Sequence, residues 1–259
     1  MKTLARFKAL AISALMLALF GASLGTTPTR SADDVLVFGV DPTYRPLAFY
    51  DENKNLVGFD IDLANAMAER MGTKAKFETM SFDGLIPALQ AKRIDIEAEL
   101  SVRPQRKEQV DFSTPFFSQN LTPVVPIDRN DFNPKTLDEL KGEKIGVTAG
   151  TSADIALANV PGLKVTRYNT TTDAFRDLIL KRVDVVVVDS LTAGYQVKHT
   201  FPTELRTGRS GLASRTEIAS ALRKGNTELL ARVNKAIETM KADGSLDAIV
   251  KKWFGDIEY

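Results

Sequence analysis

An eight-residue pattern occurs twice in this chain, as Leu89-Gln90-Ala91-Lys92-Arg93-Ile94-Asp95-Ile96 and as Leu178-Ile179-Leu180-Lys181-Arg182-Val183-Asp184-Val185. Each copy reads as the end of a helix, a basic last turn and the start of a strand. Any helix-to-strand junction favours Lys or Arg in that turn, so the echo counts only with its surroundings, and these repeat too. In the first half, residues 35–40 read as a strand into the turn Asp41-Pro42. Phe59, Leu63, Met67 and Met71 then recur at helical spacing behind Asp60 and Asp62, acids suited to a first turn. A helix at 85–90 leads to a strand at 94–96. The second half offers a strand at 144–148 into the Ala149-Gly150 turn, a helix at 174–180 and a strand at 183–188. Strands alternating with helices in this way make crossover units and mostly parallel sheets. The expectation is therefore an α/β chain of two similar lobes, each a mostly parallel sheet flanked by helices.

Residues 120–127 are extended and punctuated by Pro123 and Pro126, which suits a strand between lobes. A second extended piece, 218–223, precedes a helical tail expected to run from 228 through 253. If the tail packs on the first lobe, the chain crosses between lobes twice and the two crossover strands form a hinge. The expected divisions are 33–121 for lobe 1, 122–218 for lobe 2 with hinge strands at its edges, and 219–259 returning to lobe 1 with the C-terminal helices. The cleft between lobes is the default ligand site.

Residues 1–8 are basic, 9–20 are apolar and 21–26 are small, the order of a secretory signal. The apolar run is shorter than the roughly 20 residues of a membrane-spanning helix. A cleaved signal peptide within 1–32 is expected, cut between Ala22 and Ala32. With no Cys after the apolar run, a free periplasmic protein is expected rather than a lipoprotein. The absence of cysteine also removes disulfides, thiolate metal sites and thiol nucleophiles. The one histidine, His199, lies in a polar stretch and reads as a surface residue rather than a base or metal ligand. A formal charge of +1 without single-sign runs gives no footprint for nucleic acid or an anionic membrane.

Gly58-Phe59-Asp60-Ile61-Asp62-Leu63, followed by Met67-Ala68 and Met71, resembles the signature of bacterial extracellular solute-binding proteins for polar amino acids, family 3 of ABC transporters. The likeness continues through Asp41-Pro42-Thr43-Tyr44, residues 82–89, 106–113 and 146–152, and the tail from Asp243-Gly244-Ser245-Leu246 to Lys252-Trp253-Phe254-Gly255. It spans essentially the whole mature chain. The resemblance implies a two-lobed periplasmic-binding-protein-like fold, a monomer that closes on its ligand, a membrane permease as partner, and neither a cofactor, a metal nor catalysis.

An amino-acid zwitterion requires a cation for its carboxylate and an anion for its ammonium, and the planar fork of Arg suits a carboxylate best. Arg106 stands at the family's carboxylate-binding position, with Ser101 on the same loop. Ser152 begins a helix after Gly150-Thr151, where free N–H groups face an anion; a plain N-cap role coexists with that reading. Asp189, ending an apolar strand, stands at the ammonium-binding position. Tyr44 and Phe82 match aromatic positions that pack on the ligand, although ordinary core is the competing reading. Asp41 matches the acid that meets distal polar or cationic groups, or else is a turn former. Ala98 and Thr148 complete the implied ligand-binding set.

Glu99 and Arg103 depart from the family, which usually has Gly or Ser and Thr at these places. Glu99 either swings out of the cleft or joins Asp41 and Asp189, and three acids facing one Arg favour a basic amino acid or another cationic derivative. A buried Glu with raised pKa also keeps open a cyclohexadienyl-dehydratase-like enzyme on the same fold. A sensor docking on a chemoreceptor is a further alternative.

Overall fold

The computed structural model describes residues 35–255, and the expected signal peptide lies outside the described residues. Strand β1 (Val35–Val40) buries Phe38 and Val40 and opens the first sheet. A small antiparallel ribbon follows, made of β2 (Thr43–Tyr44), β3 (Ala48–Tyr50) and β4 (Leu56–Val57). Helix α1 (Phe59–Arg70) buries Phe59, Leu63 and Met67 along one face, because residues three to four apart stack there. It returns the chain to β5 (Lys74–Thr79), parallel to β1. A single 3₁₀ turn and α2 (Leu85–Gln90) lead to β6 (Ile96–Ser101), parallel to β1 on its other edge. Then come α3 (Pro104–Lys107), with proline in its first turn, β7 (Val110–Phe112) and β8 (Phe117–Gln119).

The second sheet starts at β9 (Leu121–Pro126). It gathers β10 (Lys144–Thr148), α4 (Ser152–Ala158), β11 (Lys164–Tyr168), α5 (Thr171–Ile179) and β12 (Val185–Asp189), followed by α6 (Ser190–His199) and β13 (Leu205–Thr207). The strand order is β11-β10-β12-β9-β13. Strand β14 (Thr216–Arg223) then rejoins the first sheet, whose order is β5-β1-β6-β14-β7 with β8 also on β14. In each sheet the βαβ units pair in parallel, while β9 and β14, which carry the chain between the sheets, run antiparallel to their neighbours.

The tail is two helices rather than one, α7 (Thr227–Ala242) and α8 (Ser245–Phe254). The break falls at Gly244, whose φ of 75° is left-handed. Asp243 fixes the elbow by accepting from Ser245 N at 3.0 Å and pairing with Arg70 of α1 at 2.6 Å. The Ser245 and Arg70 hydrogen bonds hold the Asp243 carboxyl down at about 2. Both helices pack on α1, so Val233, Ile237, Met240 and Leu246 share one apolar cluster with Phe59, Leu63 and Met67.

The repeated octapeptide is a repeated backbone device. Lys92 and Lys181 sit at φ 59° and 58°, the left-handed residue just past α2 and α5. Arg93 N donates back to Ala88 O at 2.9 Å and Arg182 N to Asp177 O at 2.8 Å, each the long closing bond of a Schellman motif. The strands start two residues later than expected, at Ile96 and Val185, because Asp95 and Asp184 first clamp the neighbouring strand. Asp95 N donates to Val37 O at 2.8 Å while its carboxylate accepts from Val37 N at 2.9 Å. Asp184 makes the same pair of bonds with Lys144, at 2.7 and 2.8 Å.

Gly58 seats the start of α1 against the turn between β2 and β3. Its φ is 144°, and a Cβ built there would lie 2.1 Å from Leu47 O. Gly58→Ala is expected to lower stability by at least ~2 kcal/mol, since neither the backbone nor the loop can yield. A urea midpoint equal to that of the parent would contradict this.

Candidate functional site

The strand ends of the two sheets converge on one cleft. Asp41 follows β1, and its burial lifts its pKa even though three hydrogen bonds oppose the shift. Oδ1 accepts from Thr43 N at 2.9 Å and Thr43 Oγ1 at 2.7 Å, and Oδ2 from Phe82 N at 3.1 Å. Asp41 is thus a turn former that also lines the cleft. Tyr44 and Phe82 lean on each other with ring centroids 6.1 Å apart.

Arg106, in α3, is 3% exposed. Its Nη1 donates to Ser101 O at 3.0 Å and its Nη2 crosses to Gly150 O of the second lobe at 2.7 Å. The guanidinium lies 5.3 Å from the Phe82 ring centroid. Burial lowers its pKa, opposed by the charges of Glu97, Asp189 and Glu99. A guanidinium has five N–H donors, so these bonds leave it able to hold a carboxylate. Ser101 contributes its carbonyl to Arg106.

Asp189, at the end of β12, is held from both lobes. Ser152 Oγ donates to its Oδ1 at 2.8 Å, and Tyr44 OH reaches across to Oδ2 at 3.0 Å. Burial and then the charge of Asp189 push the Tyr44 hydroxyl well above its usual range, so it remains a donor. The helix cap is Thr151, whose Oγ1 accepts from Asp154 N at 3.4 Å; Ser152 is the first helical residue, which frees its hydroxyl for Asp189. Gln196 Nε2 makes another contact across the cleft, to Arg45 O at 3.3 Å.

Two residues of the expected set face elsewhere. Ala98 belongs to the apolar core, and its carbonyl accepts from Ser220 Oγ at 2.8 Å. Strand alternation puts Glu97 and Glu99 on the other face. Thr148 shares its hydroxyl with Thr171 at 2.9 Å, tying β10 to the start of α5. His199 is exposed and stacks on Tyr195 with centroids 4.6 Å apart.

Glu99 faces inward, into a recess that it shares with Asp41, Tyr44, Phe82 and two acids that sequence reasoning did not select, Asp60 and Glu97. Asp60 read as an ordinary first-turn acid. Glu97 could have been found as the second carboxylate on one face of an otherwise apolar strand. Burial raises the pKa of all three well above the usual carboxylate range. Neighbouring acids add to this: Glu97 and Asp41 for Asp60, Glu99 for Glu97, Asp60 and Asp189 for Glu99; Arg106 opposes it for both glutamates. Arg103, the other departure, has its Nε and Nη2 buried without a partner and feels the charge of Asp189.

No group of three or more His, Cys, Asp or Glu among the described residues could hold a metal ion. No helix among the described residues is long and apolar enough to cross a membrane.

Two sheets joined by antiparallel crossover strands, with a buried arginine and a buried aspartate meeting at the cleft, define a bilobal binding protein for small solutes. The model of the family "Bacterial extracellular solute-binding proteins, family 3" matches residues 36–256, and the chain belongs to that family. It is 38% identical over 222 residues to the L-cystine-binding protein TcyJ of Escherichia coli, covering 85% of this chain and 82% of that one. It is 33% identical over 269 residues to an L-arginine-binding protein of Pseudomonas aeruginosa, covering 98% and 97%. An ancestral arginine-binding protein bound to arginine superposes with a TM-score of 0.80 at 40% identity, covering 85% of this chain and 98% of that one.

The raised carboxyl groups link stability to pH. Groups whose folded pKa is raised add stability below their unfolded pKa and lose it as pH rises through the folded value. The unliganded protein is therefore expected to lose stability as pH rises above the ordinary carboxylate range of about 4, and Glu97→Gln to flatten that slope. Urea titrations at rising pH check this; a parent slope of the opposite sign contradicts it.

Proposed function

We propose that this chain is the periplasmic solute-binding component of an ABC-type importer and that it binds a basic L-amino acid. The observation that carries the reading is the placement of Arg106 and Asp189, both buried at one cleft, beside a recess lined only by acids at its charged positions. Arg106 would take the α-carboxylate, with Ser101 and the Gly150 to Ser152 turn around it. Asp189 would take the α-ammonium, and the side chain would run past Tyr44 and Phe82 toward Asp41 and Glu99. Ala98 and Thr148 support the walls from behind. The divisions at 121 and 218 place the hinge in β9 and β14, and the permease would receive the closed form.

Closure needs contacts that exist only when the lobes meet, and the bonds Tyr44 to Asp189 and Arg106 to Gly150 are of that kind. A ligand holding both Arg106 and Asp189 favours the closed state by its differential affinity. The acid recess favours the lone cationic head of arginine, lysine, ornithine or histidine over the far end of cystine, which brings a carboxylate along with its ammonium. Glu99, buried with a raised pKa, is also what a general acid of a dehydratase would need. Recovery of the ligand unchanged separates binding from that chemistry.

The test is a thermal-shift screen of the mature protein against the common amino acids, since a ligand of the folded state raises Tm by mass action. A basic amino acid is expected to give the largest shift and to be recovered intact. Arg106→Ala is expected to weaken that ligand at least ~100-fold, or ~2.7 kcal/mol, in a folded protein. Unchanged affinity in that variant would overturn the site.

A further inference from the structure

The recess holds carboxyl groups that local structure does not use. Asp41 is engaged by Thr43 and Phe82. Glu97, 2% exposed, has no partner at either oxygen, and Asp60, 7% exposed, has none at Oδ1. They approach from different elements, Asp60 from the first turn of α1 and Glu97 from β6, and both line the recess with Glu99. A buried polar atom without a partner costs free energy and calls for a reason. Asp243 and Asp62 secure the C-terminal helices to α1, whereas Glu97 and the Oδ1 of Asp60 meet no protein partner. Among the described residues no group of such side chains could hold a metal ion, whereas the N–H donors of an organic cation would pair with these oxygens.

Building on the amino-acid reading above, we propose that Asp60 and Glu97, with Glu99, form a subsite for the ligand's terminal guanidinium or ammonium, and that this group displaces a proton to solvent as it enters. The carboxyl O–H bond breaks, the proton passes to buffer, and the carboxylate left behind pairs with the cation; no other reactant takes part. The charged groups that bear on these three acids are Asp41, Asp189 and Arg106, with the Tyr44 hydroxyl at the rim. Arg106 is the one cation among them, and it already serves the other end of the cleft. Burial and neighbouring acids raise the pKa of these carboxyl groups, so protons compete with a cationic side chain and not with a neutral one.

Isothermal titration of the mature protein with L-arginine, L-lysine and L-glutamine, in buffers of different ionisation enthalpy, reads the proton count directly. Proton release is expected with arginine or lysine and not with glutamine, and the cationic probe is expected to lose up to ~100-fold in affinity from about pH 8 to about pH 6. Glu97→Gln and Asp60→Asn, each checked by melting curve, are expected to abolish the release and to weaken the cationic probe at least ~10-fold. Tight arginine binding with no proton exchanged, and unchanged in both variants, would overturn the subsite while leaving the amino-acid reading intact. Failure of arginine and lysine to bind would overturn the subsite, and a thermal-shift screen without a hit among the common amino acids would remove the amino-acid reading as well.

Discussion

The cleft is organised by negative charge buried in excess of positive. Asp41, Asp60, Glu97, Glu99 and Asp189 are all less than a tenth exposed, and the one comparably buried cation among the described residues is Arg106. Charges taken out of water are tolerated when paired, hydrogen-bonded or neutralised, and the molecule uses each remedy in a different place. Asp189 is hydrogen-bonded from both lobes, Asp41 is satisfied by its own turn, and Arg106 faces carbonyls as well as carboxylates. Glu97 and the Oδ1 of Asp60 have no hydrogen-bond partner, and burial raises the pKa of both carboxyl groups.

The rest of the architecture serves that arrangement. The parallel βαβ units of both sheets bring the ends of β1, β6, β10 and β12 to one side, the usual place for a site in α/β folds. The C-terminal helices are fixed to α1 by Arg70 with Asp243 and by Asp62 with Lys252 and Trp253, and α8 also packs against α6. The two lobes share packed apolar side chains, and the polar bonds across the cleft include Tyr44 to Asp189, Arg106 to Gly150 and Gln196 to Arg45. A small set of such bonds is easily shifted by a ligand that contacts both sides.

Much of this was legible in the residues. The doubled octapeptide announced two similar halves because a Schellman turn followed by a strand-clamping aspartate needs the same residue types each time. Asp189 stood out as a carboxylate directly ending an apolar strand, and Arg106, which alone reads as a solvated charge, stood out through the family motif around it. Strand starts were misjudged by two residues, since Ile94 and Val183 look like strand while Asp95 and Asp184 are still turning. The break at Gly244 was hidden by a helical pattern that continues on both sides of it. Asp60 escaped notice because a first-turn acid is ordinary in sequence and becomes unusual only when β6 buries it beside Glu97. Ala98 and Thr148 were drawn into the site by resemblance, whereas alternation along β6 and the Thr148 to Thr171 bond turn them away.

The most direct test of the account is the crystal structure of the mature protein with L-arginine. The α-carboxylate is expected on Arg106, the α-ammonium on Asp189, and the guanidinium within hydrogen-bond distance of Glu97 or Asp60. A guanidinium directed to solvent, or a ligand lying in the reverse sense with its carboxylate toward β6, would contradict the central claim that buried acid decides which solute this cleft holds.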